Sequence, residues 1–357
     1  MTKYLALFLA LVMLLSVSCG TVENKSTDDG TSTETSDTTD TVVATEDSSD
    51  TVSTSQELPE PSEPTEPTEP DSPSPDSSGS TPLFYKVTDS DGSVVWLMGT
   101  IHAGLESFYP FPDYVMDAYE GADALAVECN VVAAENDLGT MSDMLAAMVL
   151  NDGSKVSDYI PADLYDSAKA YLDEHGVYME YFDRFQPCLW EQLVSELKYE
   201  EAGIDLLLGV DRFFIKEAND DGKEIVDVED LYEHLTLSAR FSLPLQEYLL
   251  RQIVDTNAEE LSAEIDEMLR IWAEGDEAAI IEMVNEEDDV SPDEQAIYEE
   301  YVRLMITERD ALMTEFAVDA LENNEEIFIC VGMAHVAGEA GMVYQLREKG
   351  YTVEIVR

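Results

Sequence analysis

The chain has 357 residues, 78 acidic against 18 basic, for a formal charge of −60. So negative a molecule repels nucleic acid and anionic lipid, which argues against both as partners of its folded part, and it gathers cations near any cleft. Four cysteines without a CxxC spacing make neither a disulfide framework nor a thiolate metal site.

The N-terminus carries one base, Lys3, then an apolar run from Tyr4 to Leu15 and Ser16-Val17-Ser18-Cys19-Gly20. Its 12 apolar residues are too few to cross a bilayer, which takes roughly 20 in a helix, so residues 1–19 read as an export signal. Small residues ahead of Cys19 mark a lipoprotein cleavage site, with Cys19 lipidated and the chain held on the extracytoplasmic face of the cell membrane. The leucine of the usual pattern falls one place early, at Leu15, and the alternative is a soluble secreted chain cut nearby. Residues 20–81 are Ser, Thr, Asp, Glu and Pro, ending in "EPSEPTEPTEPDSPSP", with 16 acids against one base and almost nothing to bury. Such a segment stays solvated and acts as a tether, with a reach of about 190 Å if fully extended and about 45 Å as a coil. Residues 82–357 then form one folded domain with 62 acids and 16 bases.

Within it, Phe84–Asp89 and Ser93–Met98 are strand-like and flank a Ser-Asp-Gly turn, which makes an N-terminal hairpin. Pro112–Tyr119 reads as a helix and "ALAVE", Ala124 to Glu128, as a strand covered on both faces. The middle is helical: Leu189, Leu193 and Leu197 mark one buried face, and further helices are expected over Leu206–Ala218, Leu231–Val254 and Ala258–Ala273, with a strand in "GKEIVDVE". Ser291-Pro292-Asp293-Glu294 is a helix start with a capping box. The helix it opens should run to about Leu321, with Met305, Arg309, Leu312 and Phe316 on one face. "IFICVG" is a second buried strand, "GEAGMVYQLREKG" a helix and "YTVEIV" a closing strand. The pattern implies a mixed α/β (α+β) domain with a central, mainly parallel sheet, covered by a large helical middle region.

Two strands end alike. "WLMGTIHAG" and "ICVGMAHVAGEAG" each run from apolar strand to glycine, two residues and histidine: Gly99 with His102, and Gly332 with His335. A third strand ends on Glu128. Ligands of such sheets bind beyond the carboxyl ends of parallel strands, so two imidazoles and a carboxylate delivered there can hold a divalent metal or serve as acid and base. The glycine three residues before each histidine lets the backbone turn closely. Arg309, on an apolar helix stripe, needs an anionic partner, either a substrate carboxylate or oxyanion or a structural acid. His175 is a helix C-terminal residue, and His234 has no motif around it; neither is expected to be a ligand. Cys129, Cys188 and Cys330 are expected as buried free thiols.

These segments, together with "ALAVECN", "GVDRFF", "GKEIVDVE" and "ITERDALM", resemble the TraB/PrgY/GumN family, related to the TIKI metalloproteases, over roughly residues 84–357. The resemblance implies a metal-dependent peptidase site at His102, His335 and Glu128, a site arginine at Arg309, and supporting roles for Asp211 and Glu229, with only a presumed hydrolytic function for many bacterial members. Glu128 would be a third ligand or a general base. Nitrogen and oxygen donors suit zinc, manganese or cobalt. The expected function is a surface lipoprotein hydrolase acting on peptides or protein termini. The alternatives are a metal-free His/Glu esterase or amidase, and a protein that sequesters a peptide signal uncut.

Overall fold

The computed structural model describes residues 79–285, 291–292, 294–338 and 340–357. The expected signal segment, Cys19 and all but the last three residues of the tether lie outside the described residues. Thr81 already belongs to the fold: its N–H donates to the Ala273 carbonyl at 2.8 Å.

Six strands, β1 (Phe84–Thr88), β2 (Val94–Thr100), β3 (Ala124–Val127), β4 (Glu224–Asp227), β5 (Ile327–Gly332) and β6 (Thr352–Ile355), form one sheet in the order β4-β3-β5-β2-β1-β6. β4, β3, β5 and β2 run parallel, while β1 is antiparallel to both its neighbours. Composition follows position. Every residue of β3 and β5 is buried, whereas the edge strands β4 and β6 keep Glu224, Asp227 and Glu354 in solvent, as central and edge strands require. Phe328 of β5 centres the core, with the rings of Phe84, Tyr119 and Phe214 at 5.0 to 5.8 Å.

The helices before β4 are α1 (Asp113–Gly121), α2 (Val131–Glu135), α3 (Leu138–Ala147), α4 (Ala162–Glu174), α5 (Pro187–Glu201) and α6 (Val210–Asp221). Between β4 and β5 come α7 (Leu231–Leu235), α8 (Leu243–Asp255), α9 (Ala258–Glu274), α10 (Glu277–Asn285), α11 (Gln295–Val302) and α12 (Glu308–Asn323). α13 (Met333–Ala337) and α14 (Met342–Glu348) follow β5. Met144, Leu164, Leu189, Trp190 and Leu250 make a second apolar core within the helical middle.

Four expectations are corrected. The helix expected over Leu206–Ala218 breaks at Gly209 into a 3₁₀ turn (Leu206–Leu208) and α6. The one expected over Leu231–Val254 divides into α7, a 3₁₀ turn and α8, because Ser242 caps a new helix with Pro244 in its first turn. The closing strand β6, expected to follow its helix into the parallel sheet, pairs antiparallel with β1 at the far edge. Finally, the long helix is interrupted by a π-turn at Arg303–Thr307. The extra residue in that turn rotates the buried face, so Arg309, Asp310, Met313 and Ala317 point inward and Leu312 is 46% exposed.

The loop after β2 packs backbone to backbone against residues 208–210. The Val210 N–H donates to the Ile101 carbonyl at 2.9 Å, and a Cβ on Gly209 would stand 2.6 Å from the His102 carbonyl oxygen. Gly209→Ala is therefore expected to destabilise by about 1–3 kcal/mol, lowering Tm by roughly 3–10 °C in a thermal melt; an unchanged Tm would contradict the close approach.

Candidate functional site

The strand register delivers the site. Thr100 pairs with Gly332, Val127 with Cys330 and with Asp227, so His102, His335, Glu128 and Glu229 all leave the carboxyl ends of four adjacent parallel strands. Gly99 permits this, since its Cβ would lie 3.1 Å from the Met333 Cα at the start of α13.

Glu128, 6% exposed, is held at both oxygens. Oε1 accepts the Gly332 N–H at 2.7 Å and Oε2 accepts from Arg309 Nη2 at 2.5 Å. Arg309 also grips Glu229, with Nε to Oε1 and Nη2 to Oε2 at 2.8 Å each. Burial opposes charge on Glu128, but Arg309 and the nearby imidazoles of His335, His102 and His234 outweigh it and hold the carboxyl well below its usual range. Burial likewise opposes charge on Glu229, and its bonds to His234 and Arg309 prevail, holding it down to about 2. Arg309 thus has its anions within the protein. Glu229, expected in a supporting role, bridges Arg309 and His234.

Three histidines share one arrangement. His335 Nδ1 stands 2.6 Å from Asp310 Oδ1 and His234 Nδ1 2.6 Å from Glu229 Oε2. His102 Nδ1 lies 3.1 Å from Asp211 Oδ1, an ion-pair contact off the hydrogen-bonding direction. A carboxylate at Nδ1 places the proton there and leaves Nε2 as a lone-pair donor, as in carboxylate–histidine–metal units. Burial lowers the basicity of His102, yet Asp211 beside it raises its pKa overall. Burial raises Asp310 above the usual range against the opposing bond from His335.

Sequence reasoning missed two of these residues. His234, read as outside any site, sits beside Glu229 and Glu128, and Asp310, never singled out, orients His335. An acid adjoining Arg309 on a buried helix face was the available signal for Asp310; α7 offered none for His234.

Among the described residues, ten buried side-chain polar atoms have no hydrogen-bond partner, and six of them belong to Thr100, His102, Asp211, Asp310 and His335. An unpaired buried polar atom costs about 1–3 kcal/mol, so their gathering here, with His102 Nε2 and His335 Nε2 among them, fits a site built for a ligand. A cavity of about 10 Å³, lined by Thr100, His102, Glu128, Asp211 and His234 among others, has room for about one water-sized sphere. Cys129 and Cys330 also line it, but burial pushes both thiols up, which keeps them protonated. Glu128, Glu229 and His234 have donor atoms all within 4.8 Å of one another and could hold a metal ion. His102 and His335 lie outside that set, and Arg309 already bonds both of its carboxylates.

A mainly parallel sheet with two Gly-x-x-His motifs and a buried glutamate at neighbouring strand ends defines an α/β domain with a histidine–carboxylate site. The TraB/PrgY/gumN family model matches residues 83–355, and the chain belongs to that family. No curated protein and no solved structure matches it.

Arg309→Met is expected to cost about 3–5 kcal/mol at pH 7 by leaving two buried carboxylates unpaired. The sign with pH follows from Glu229. Its pKa is depressed from 4.5 to about 2, so its stabilisation is complete above about 4.5 and is lost as pH falls toward 2. In the variant, unpaired buried carboxyls bind protons more readily, so denaturant melts should show the gap between the proteins narrowing from pH 7 to about pH 4. A pH-independent gap would contradict the network.

Proposed function

We propose that this domain is a metal-dependent hydrolase, most specifically a peptidase. The observation that carries the reading is the pair of buried, unpartnered Nε2 atoms of His102 and His335, each ring facing a carboxylate at Nδ1. Glu229 pairs with His234, and Arg309 bonds both Glu229 and Glu128, so the donors without a partner are the Nε2 atoms of His102 and His335, which Glu128 would join through the lone pairs left beyond its bonds to Arg309 and the Gly332 N–H. Zinc, manganese or cobalt suits this nitrogen and oxygen set.

When bound, such an ion supplies Lewis-acid polarisation of a carbonyl and lowers the pKa of water. The chain's own residues define the rest. Asp310 keeps the proton of His335 on Nδ1, while Asp211 faces His102 Nδ1 at 3.1 Å and favours positive charge on that side of the ring. Arg309 and the Gly332 N–H keep Glu128 ionised, which suits it to be an anionic ligand and makes it a weak base. Hydrolysis adds water across the amide C–N bond, with one proton passing to the leaving amine.

The void of about 10 Å³ is too small for a peptide bond, and this closure favours a second reading, a surface protein that binds a peptide without cutting it. Turnover of a peptide library separates the two. The residues at 1–19 support export and lipid anchoring through Cys19. No helix among the described residues is long and apolar enough to cross a membrane.

His102→Ala with His335→Ala is expected to abolish binding in calorimetric titration with zinc or manganese. Asp310→Asn should weaken it about 10–100-fold with little change of fold; metal affinity equal to that of the wild type in both would remove the metal reading. Cys19→Ser should release the chain from membranes and abolish fatty-acid labelling, and a variant still labelled would remove the anchor.

A further inference from the structure

Outside the small cavity lies a second hollow of about 250 Å³, bounded by α7, the 3₁₀ turn Leu237–Arg240, the π-turn and the first turns of α12. His234 lines both voids. Glu229 and Arg309 also reach the outer one, so the same ion network that fixes Glu128 forms part of its wall. The remaining wall is of two kinds. Leu237, Leu304 and Leu312 give an apolar side, and Leu312 is 46% exposed, a large apolar residue facing water on a strongly acidic domain. Asp230, Glu233 and Glu308 supply carboxylates, so the lining sets four acids against two guanidinium groups.

Both guanidinium groups are already engaged: Arg309 by Glu128 and Glu229, and Arg240 by Glu233. Neither is free for a substrate carboxylate. Asp230 spends Oδ1 on the Glu233 N–H, and Glu308 is paired only at the exposed surface, with Arg303. The hollow is slightly smaller than typical small-ligand sites, which begin at about 300 Å³, and so suits one or two side chains. A long basic side chain matches it: the methylene stem lies on leucine while the charged head meets carboxylate.

We propose that this hollow is the substrate subsite of the domain and that it takes a peptide segment with a lysine or arginine next to an apolar residue. The proposal rests on the peptide-directed reading above. It places Asp230 and Glu308 as specificity-determining residues, Leu304 and Leu312 as the apolar wall, and His234 as the side chain between the bound segment and the metal-binding donors.

The test is fluorescence anisotropy on the full chain with two labelled hexapeptides, one alternating lysine and leucine, the other glutamate and leucine. Because the acidity of the whole molecule attracts any cation, Glu354→Gln, at the far sheet edge, serves as the control. Asp230→Asn with Glu308→Gln keeps the helix cap, since asparagine caps as well as aspartate. The expected result is preference for the lysine peptide, a loss on the order of tenfold in the double variant, a comparable loss in Leu312→Asp, and no change in Glu354→Gln. Equal affinity in wild type and double variant, an equal loss in the control, or no binding of the lysine peptide by wild type would overturn the proposal. Parallel cleavage assays separate it from the hydrolase reading. Binding that obeys these variants without turnover leaves the subsite standing and removes the peptidase. Turnover whose KM ignores them does the reverse.

Discussion

The site depends on one buried cation. Arg309, 6% exposed, bonds Glu128 at the end of β3 and Glu229 just beyond β4, tying α12 to two strand ends distant in sequence. Burying such charges costs several kcal/mol per ion and is offset only by close geometry and full hydrogen bonding. The network meets that condition, because both oxygens of each carboxylate are engaged. The next residue on the helix, Asp310, orients His335, so the π-turn that aims Arg309 also sets an imidazole.

Much of this was legible in the sequence because parallel strands leave a strong trace. "ALAV" and "IFICVG" have no polar alternation, and a strand buried on both faces cannot have any. The two Gly-x-x-His motifs were legible for a related reason, since each follows an apolar strand directly. What stayed hidden depended on long-range geometry. The far-edge place of β6 is set by the β1 edge and not by its own residues. The π-turn leaves no compositional mark, and it moved Leu312 out of the core. His234 becomes part of the site only because β4 lies beside β3, a pairing that local pattern does not encode.

The arrangement also separates tasks by depth. His335 is fully buried and His102 is 4% exposed, so the innermost donors are dry, where electrostatic interactions are strongest. His234 stands at the boundary, and the acidic and leucine-lined hollow lies outside it. An acidic exterior that concentrates cations and an inner pair of imidazoles with free lone pairs act in the same direction, drawing positive charge inward toward Glu128.

The central claim is that His102, His335 and Glu128 converge on a single divalent ion. X-ray absorption at the metal edge of the zinc- or manganese-loaded protein reads this directly. The account predicts a first shell of nitrogen and oxygen at about 2.0–2.2 Å with imidazole multiple scattering from at least two rings. A shell of water oxygens alone, or sulfur at about 2.3 Å from Cys129 or Cys330, would contradict it.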